Sequence, residues 1–172
     1  MGKQRFSGGG TLKNKEMEAM DRLIEKMLDG IGRKILAALQ ENARISFSRL
    51  GKRVGLSSPA VTERVKKMEE AGVIRGYHAH IDPAVLGRAV TAFIQLTTDA
   101  RHYPAVQKVA AGLSEVLACH HISGNASFLI QVRVGDVADL ETVVARFSPY
   151  GQTRTAIVLS TSVDKGGRLP LE

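Results

Sequence analysis

Residues 44–75 constrain this chain more than any other stretch. They read RISFSRLGKRVGLSSPAVTERVKKMEEAGVIR, two short amphipathic helical patterns that meet at Gly55. In the first, Ser46 to Val54, Leu50 and Val54 share a face at i, i+4. Ser46 suits an N-cap, because its side-chain oxygen can accept from an orphan amide of the first turn. Gly51 falls on the packed side, where crossing helices need a small residue. Gly55 permits a left-handed backbone and so a sharp stop. Leu56 then enters the core of the turn. Ser57 or Ser58 caps the next helix, and Pro59 suits its first turn, where a missing N–H costs nothing. Val61, Val65 and Met68 recur at four and three, a buried stripe. Thr62, Glu63, Lys66 and Lys67 are left on other faces, with Arg64 beside the stripe. Gly72 ends the helix. This is the pattern of a helix-turn-helix reader of double-stranded DNA.

Charge agrees with that reading. Residues 44–75 hold eight Lys/Arg against three Asp/Glu, whereas 83–172 hold eight against seven. The net charge of +7 therefore comes from the N-terminal half. A localised basic patch fits phosphate contact, although a solvated helical face would carry the same counts. Residues at the start of a recognition helix enter the major groove, which nominates Ser58, Thr62, Glu63 and Lys66 for base contact. Glu63 could accept from cytosine N4, and Lys66 could reach guanine O6/N7. Glu63 could equally pair with Lys67 at i, i+4. Arg44, Arg49, Lys52, Ser57, Arg64 and Lys67 are placed to contact phosphates, which position without specifying.

Upstream, NKEMEAMDRLIEKML (14–28) repeats Met17, Met20, Leu23 or Ile24, Met27 and Leu28 at three and four, an amphipathic helix. It is either an added dimerisation arm or a helix folded on its own domain, and the arm is preferred. Residues 1–13, basic and containing Gly8-Gly9-Gly10, are expected to lack structure. Ile31, Ile35, Leu36 and Leu39 mark a further helix that completes a three-helix unit near 30–74. Between 75 and 88, Tyr77, Ala79 and Ile81 alternate as in a strand until Asp82-Pro83 breaks it.

The rhythm changes after residue 88. AVTAFIQLTT (89–98) reads as a strand and 103–113 as a helix, with Val106, Val109, Ala110 and Leu113 on one side. Residues 116–122 are a strand, Gly124-Asn125 a tight turn, and FLIQVRV (128–134) a strand alternating over a buried face. Asp136 caps a helix to Phe147 that points Leu140, Val143 and Val144 inward. TAIVLSTSV (155–163) is the last strand. The order β-α-β-β-α-β is the ferredoxin-like arrangement, a four-stranded antiparallel sheet with helices on one face. The other face needs cover, most simply from a second copy of the chain. The class is therefore α+β: a basic tail and helical extension (1–27), a winged-helix-like helix-turn-helix domain (28–76), a linker (77–88) and a ferredoxin-like domain (89–172).

Several function classes are excluded or disfavoured. No apolar run reaches the ~18 residues of a membrane helix. The start, MGKQRFSGGGTLKNKE, lacks the apolar core of a signal peptide, so a cytoplasmic protein is expected. Cys119 is the single cysteine, which rules out an internal disulfide. Cys119-His120-His121 invites a metal or nucleophile reading, but adjacent strand residues point to opposite faces. His78 and His80 share a face, yet two ligands are more simply solvated or at a dimer contact. No metal, cofactor or catalytic group is expected, and the serines are explained by caps.

Taken together, LDGIGRKILAALQENARIS (28–46), RVGLSSPAVTERVKKMEEAGVIRGY (53–77), EVLACHHISGNASFLIQVRV (115–134), TRTAIVLSTSV (153–163) and Leu169-Pro170-Leu171 resemble the leucine-responsive regulatory protein / asparagine regulator (Lrp/AsnC) family of transcription regulators. The resemblance runs from about Leu28 to Leu171. It implies a dimer that reads operator DNA, pairing of chains through the second domain, and assembly into octamers or similar rings. It also implies a small effector, usually an amino acid, near the turn before the third strand of that domain. Here that turn is Ser123, Gly124, Asn125, Ala126 and Ser127, then Phe128. The family commonly reads Thr-Gly-x-x-Asp-Tyr/Phe, so Ser127 stands where a carboxylate would meet an ammonium group. Gly32 stands where the family often has Asp, which leaves Asp29 to cap the first helix. An architectural, weakly specific DNA-wrapping protein is an alternative. Decarboxylases of the heme route resemble the same layout, but the turn carries no arginine for tetrapyrrole carboxylates.

Overall fold

The computed structural model describes residues 9–166 and 169–171. It divides into two compact units, one of residues 1–79 with 165–172 and one of residues 80–164. The described C-terminal residues 169–171 cluster with the first unit.

The first unit is helical: α1 (Gly9–Met27), α2 (Gly30–Glu41), α3 (Phe47–Val54) and α4 (Ser58–Glu70). The helix of the extension begins at Gly9, inside the stretch expected to lack structure, while residues 1–8 lie outside the described residues. Met27 packs on the core of this unit, whereas Met17, Met20 and Leu23 are exposed. That core is Ile35, Ala38 and Leu50 with the α4 stripe Val61, Val65 and Met68. Asp29 does cap α2, its Oδ1 accepting from the Gly32 N–H at 2.7 Å. A side chain at Gly32 would run into the Met27 carbonyl, so this glycine is what allows α1 to end so close to α2. Near the C-terminus, Leu169 exchanges two hydrogen bonds with the Gln40 amide of α2, at 2.7 and 3.4 Å.

The segment 75–81 forms no strand. A lone alternating stretch has no ladder to join, and among the described residues no strand runs beside it. Tyr77 instead donates its hydroxyl to Glu69 at 2.8 Å. That bond and burial push the phenol pKa to about 12, burial being the larger cause.

The second unit runs β1 (Val90–Thr97), α5 (Tyr103–Gly112), β2 (Val116–His121), β3 (Phe128–Val134), α6 (Val137–Phe147) and β4 (Gln152–Ile157). The sheet order is β2-β3-β1-β4, all pairs antiparallel. Alternation puts Ala92, Ile94 and Leu96 of β1 and Phe128, Ile130 and Val132 of β3 on one face, under Val106, Leu140 and Phe147 of the helices. The last strand starts three residues earlier than expected and stops at Ile157. Its partner β1 begins at Val90, and the final bond is Val158 N–H to Thr91 O at 2.9 Å. Beyond it the ladder ends among the described residues, and Leu159 is 95% exposed.

Candidate nucleic-acid interface and effector turn

Local chemistry sets the angle between α3 and α4. Ser46 caps α3, accepting from Arg49 N–H at 3.3 Å. Gly55 follows the helix at φ 76°, a left-handed conformation that a side chain resists. The Leu56 N–H turns back to the Gly51 carbonyl at 2.9 Å. A Cβ at Gly51 would lie 2.6 Å from the Leu56 carbonyl oxygen, so the tight turn requires glycine there. Of the two serines, Ser57 is the cap of α4, accepting from Ala60 N–H at 3.4 Å, and Ser58 is its first helical residue.

With Val61, Val65 and Met68 buried, Thr62, Glu63 and Lys66 lie together on the exposed face of α4, and Ser58 is half-buried at its start. Thr62 donates its hydroxyl to the Ser58 carbonyl at 2.9 Å, which fixes its rotamer. Glu63 pairs with Lys67 at 3.0 Å, and this holds its carboxyl below the usual range. Lys66 lies 3.7 Å from Glu70. Both pairs are exposed and screened by solvent, so each yields readily to another partner. Arg44, Arg49 and Lys52 are exposed, and their charged groups have no partner among the described residues.

Arg64 behaves differently. Its guanidinium grips Asp29 with two bonds of 2.9 and 3.0 Å, and both side chains are more than half covered. The Asp29 carboxyl is held below its ordinary value, chiefly by Arg64 and then by the Gly32 N–H. The side chain expected at a phosphate therefore ties α4 to the start of α2. Arg53 makes a second such pair with Glu41, at 2.7 and 3.0 Å. Partners 35 and 12 residues apart have no periodic signature, and the sequence reading found neither pair.

In the second unit, Gly124 takes φ 111° in the turn between β2 and β3. Ser127 does not face outward. Its hydroxyl donates to the Thr98 carbonyl at 2.9 Å and accepts from the Thr98 N–H at 3.2 Å. The Thr97 hydroxyl donates to the Asn125 carbonyl at 3.0 Å. The turn is thus stitched to the end of β1, and the hydroxyl at the position of the missing carboxylate is already satisfied. The side chains of Ser123 and Asn125 have no partner among the described residues. Asp99 and Arg101 form an exposed pair at 3.3 Å in an open hollow beside Thr98.

The Cys119-His120-His121 run separates as strand geometry requires. Cys119 pairs with Ile130 and His121 with Phe128 on the helix-covered side, while His120 pairs with Leu129 on the other. His121 packs edge-on against Tyr103, centroids 4.8 Å apart. Burial pushes the Cys119 thiol up, away from a reactive thiolate. Among the described residues, no cluster of three His, Cys, Asp or Glu could hold a metal ion, and no helix is long and apolar enough to cross a membrane.

Residues 28–75 match the winged helix-turn-helix DNA-binding family, and residues 91–167 match the Lrp/AsnC ligand binding domain. A leucine-responsive regulatory protein from Haemophilus influenzae is 36% identical over 154 residues, covering 85% of this chain and 92% of that one. The chain belongs to the Lrp/AsnC family. It is a DNA-binding transcription regulator with a ligand-binding domain. Solved members of the family share its architecture. A transcriptional regulator from Neisseria meningitidis in complex with L-Met superposes with a TM-score of 0.78 at 27% identity, covering 83% of this chain and 96% of that one. The feast or famine regulatory protein of M. tuberculosis complexed with L-methionine gives 0.76 at 32%, covering 83% and 99%. The relatives found are transcription regulators, which removes support from the decarboxylase alternative. The family matches begin at Leu28, so α1 lies outside the matched region.

Proposed function

We propose that this Lrp/AsnC regulator reads a pseudo-palindromic operator as a homodimer in the cytoplasm, and that an amino acid controls its assembly into octamers or similar rings. The observation that carries the DNA half is the exposed face of α4 beside the unpartnered cations of Arg44, Arg49 and Lys52. Ser58, Thr62, Glu63 and Lys66 contact base edges, and Arg44, Arg49, Lys52, Ser57 and Lys67 contact phosphates. Arg64 acts through its bond to Asp29 by holding the recognition helix in place. Two such helices in a dimer would address major grooves about 34 Å apart.

The effector half is supported by the ligand-binding family match and by L-methionine in two solved relatives. Its proposed location is the Ser123, Gly124, Asn125, Ala126 and Ser127 turn. With Ser127 bonded to Thr98, ligand recognition there falls to backbone groups, Ser123 and Asn125. The effector shifts the population of assemblies by its differential affinity for them.

Fluorescence anisotropy tests this reading. The protein is titrated into its own promoter DNA and into a scrambled duplex, at two salt concentrations, with and without single amino acids. Preference for the promoter, altered by one amino acid, is the expected result. Equal binding to both duplexes with a steep salt slope and no ligand response would establish the architectural alternative instead.

A further inference from the structure

We propose that a second small-molecule site lies at the end of the ferredoxin-like unit remote from the Ser123–Ser127 turn, where a cavity binds a free α-amino acid between Glu115 and Arg146. The cavity is a half-open hollow of about 300 Å³ that lies wholly within the second unit. That volume is at the lower limit of ordinary ligand pockets, about 300–1,000 Å³, and suits a molecule of amino-acid size. Val134 lines it at one end of β3, while Phe128 adjoins the turn at the other. They stand six positions apart along the strand, roughly 20 Å at the ordinary rise.

The charges of the cavity point to a zwitterion. Helix α6 presents Asp139, Val143 and Arg146 at i, i+4 and i+7, one face toward the space. The corner between α5 and β2 adds Leu113 and Glu115. Two of the charged groups are already held. Asp139 accepts from the Gly135 N–H at 3.2 Å, and Arg88 donates to the Ser114 carbonyl at 3.0 Å and to its hydroxyl at 3.3 Å. The other two are not. Glu115, half-buried, and Arg146, exposed at the rim, line the same cavity, yet their charged groups form no ion pair with each other or with any described residue. An ammonium group satisfies the first, and a carboxylate satisfies the second in the forked geometry guanidinium favours. Leu113, Val134 and Val143 supply apolar wall for a side chain. A simple anion or cation would meet only one of the two free charges.

The remaining wall gives the site a consequence. Beside Gly135 and Thr142, it is Leu86 to Arg88, which closes the short 3-10 turn Pro83–Leu86. This is the stretch of chain that leads out of the DNA-binding unit. A ligand lodged against it would restrain that stretch directly, which no ligand at the distant turn does.

This site rests on the amino-acid reading of the effector but not on its location. Isothermal titration calorimetry of the full-length protein with L-leucine, L-methionine and L-phenylalanine tests it, using Glu115→Gln, Arg146→Gln and the turn variant Gly124→Arg. The expected result is binding of at least one of these that weakens at least about tenfold in each cavity variant and survives in Gly124→Arg. Hydrogen exchange of the wild-type protein provides a readout that does not depend on the variants folding: the ligand should slow exchange at residues 86–88 and 113–115. Binding lost in Gly124→Arg alone, with no protection at those residues, would overturn the cavity and leave the turn as the effector site. Absence of binding by all three amino acids would overturn it too, while promoter preference, measured separately, would leave the regulator intact.

Discussion

Two turns dominate this molecule, and serine is used in opposite ways in them. Between α3 and α4, Ser57 turns its oxygen back onto the Ala60 N–H and leaves the face of the recognition helix open. Between β2 and β3, Ser127 both gives to and takes from Thr98, and the turn is closed onto β1. The first turn is built to display side chains, and the second, in this chain, to hold backbone. A hydroxyl in a motif thus says little until its partner is known. A cap completes a helix end at no cost to the surface beside it, whereas a two-way bond uses up the group a ligand would need.

The largest break should come at the first turn. Gly51→Val places a branched side chain 2.6 Å from the Leu56 carbonyl at Cβ alone. Overpacking of this kind costs about 1–3 kcal/mol, and the rigid turn puts it at the upper end. Denaturant unfolding followed by far-UV circular dichroism should show the loss, and promoter binding should fall with it. Unchanged stability would mean that the chain at Leu56 can move away from α3 without penalty, contrary to the close approach at Gly51.

The second turn should respond next. Ser127→Ala removes two hydrogen bonds and leaves the Thr98 N–H without its partner, an expected loss of about 1–2 kcal/mol. Ser127→Asp sharpens the contrast. A carboxylate can accept from the Thr98 N–H but cannot donate to the Thr98 carbonyl, so one of its oxygens is left for solvent or an ammonium group. The Ser127→Asp protein should be less stable than wild type yet bind amino acids more tightly when titrated by calorimetry. Equal affinity in both would show that the turn has no part in ligand recognition.

Ser57→Ala should cost less, about 1 kcal/mol or below, since its bond is long and the helix has other anchors. Its effect should be felt more by DNA than by folding, because fraying would begin at Ser58. Anisotropy against promoter and scrambled duplexes should therefore show a narrower preference with a modest shift in melting temperature.

What was legible in the sequence follows from the range of each interaction. Caps, the Gly55 stop and the Val61-Val65-Met68 stripe are set within one helical turn, and the structure has them where spacing puts them. The β-α-β-β-α-β order is equally local in origin. The end of β4 is not, because it is decided by where β1 begins: Ile157 pairs with Ala92, 65 residues away in the chain. The 75–81 stretch alternates correctly but has no strand to pair with among the described residues, so alternation alone misled. At the candidate site, the exposed face of α4 was readable. The commitment of Arg64 to Asp29 and of Ser127 to Thr98 was not, since each joins elements brought together only by packing.

That same Arg64–Asp29 bond yields the smallest effect and the finest test of the first turn. The Asp29 carboxyl is held below its ordinary value of 3.8, largely by Arg64. A carboxylate with a depressed folded pKa stabilises the fold at all pH values above the unfolded pKa. That contribution is lost as pH falls from the ordinary carboxylate range through the lower folded value. Asp29→Asn keeps an N-cap acceptor for Gly32 but removes the charge that Arg64 grips. Wild-type protein should therefore exceed the Asp29→Asn variant in stability at neutral pH, and the gap should close as pH drops below about 4, within the ordinary carboxylate range. Glu63, also depressed through Lys67, titrates in both proteins and cancels from the difference. Thermal melts of the pair between neutral and acid pH measure that difference directly. A gap constant with pH would mean that the Asp29 charge does not hold Arg64 in place. Its side chain would then be free to turn outward to a phosphate, as its place in the sequence first suggested.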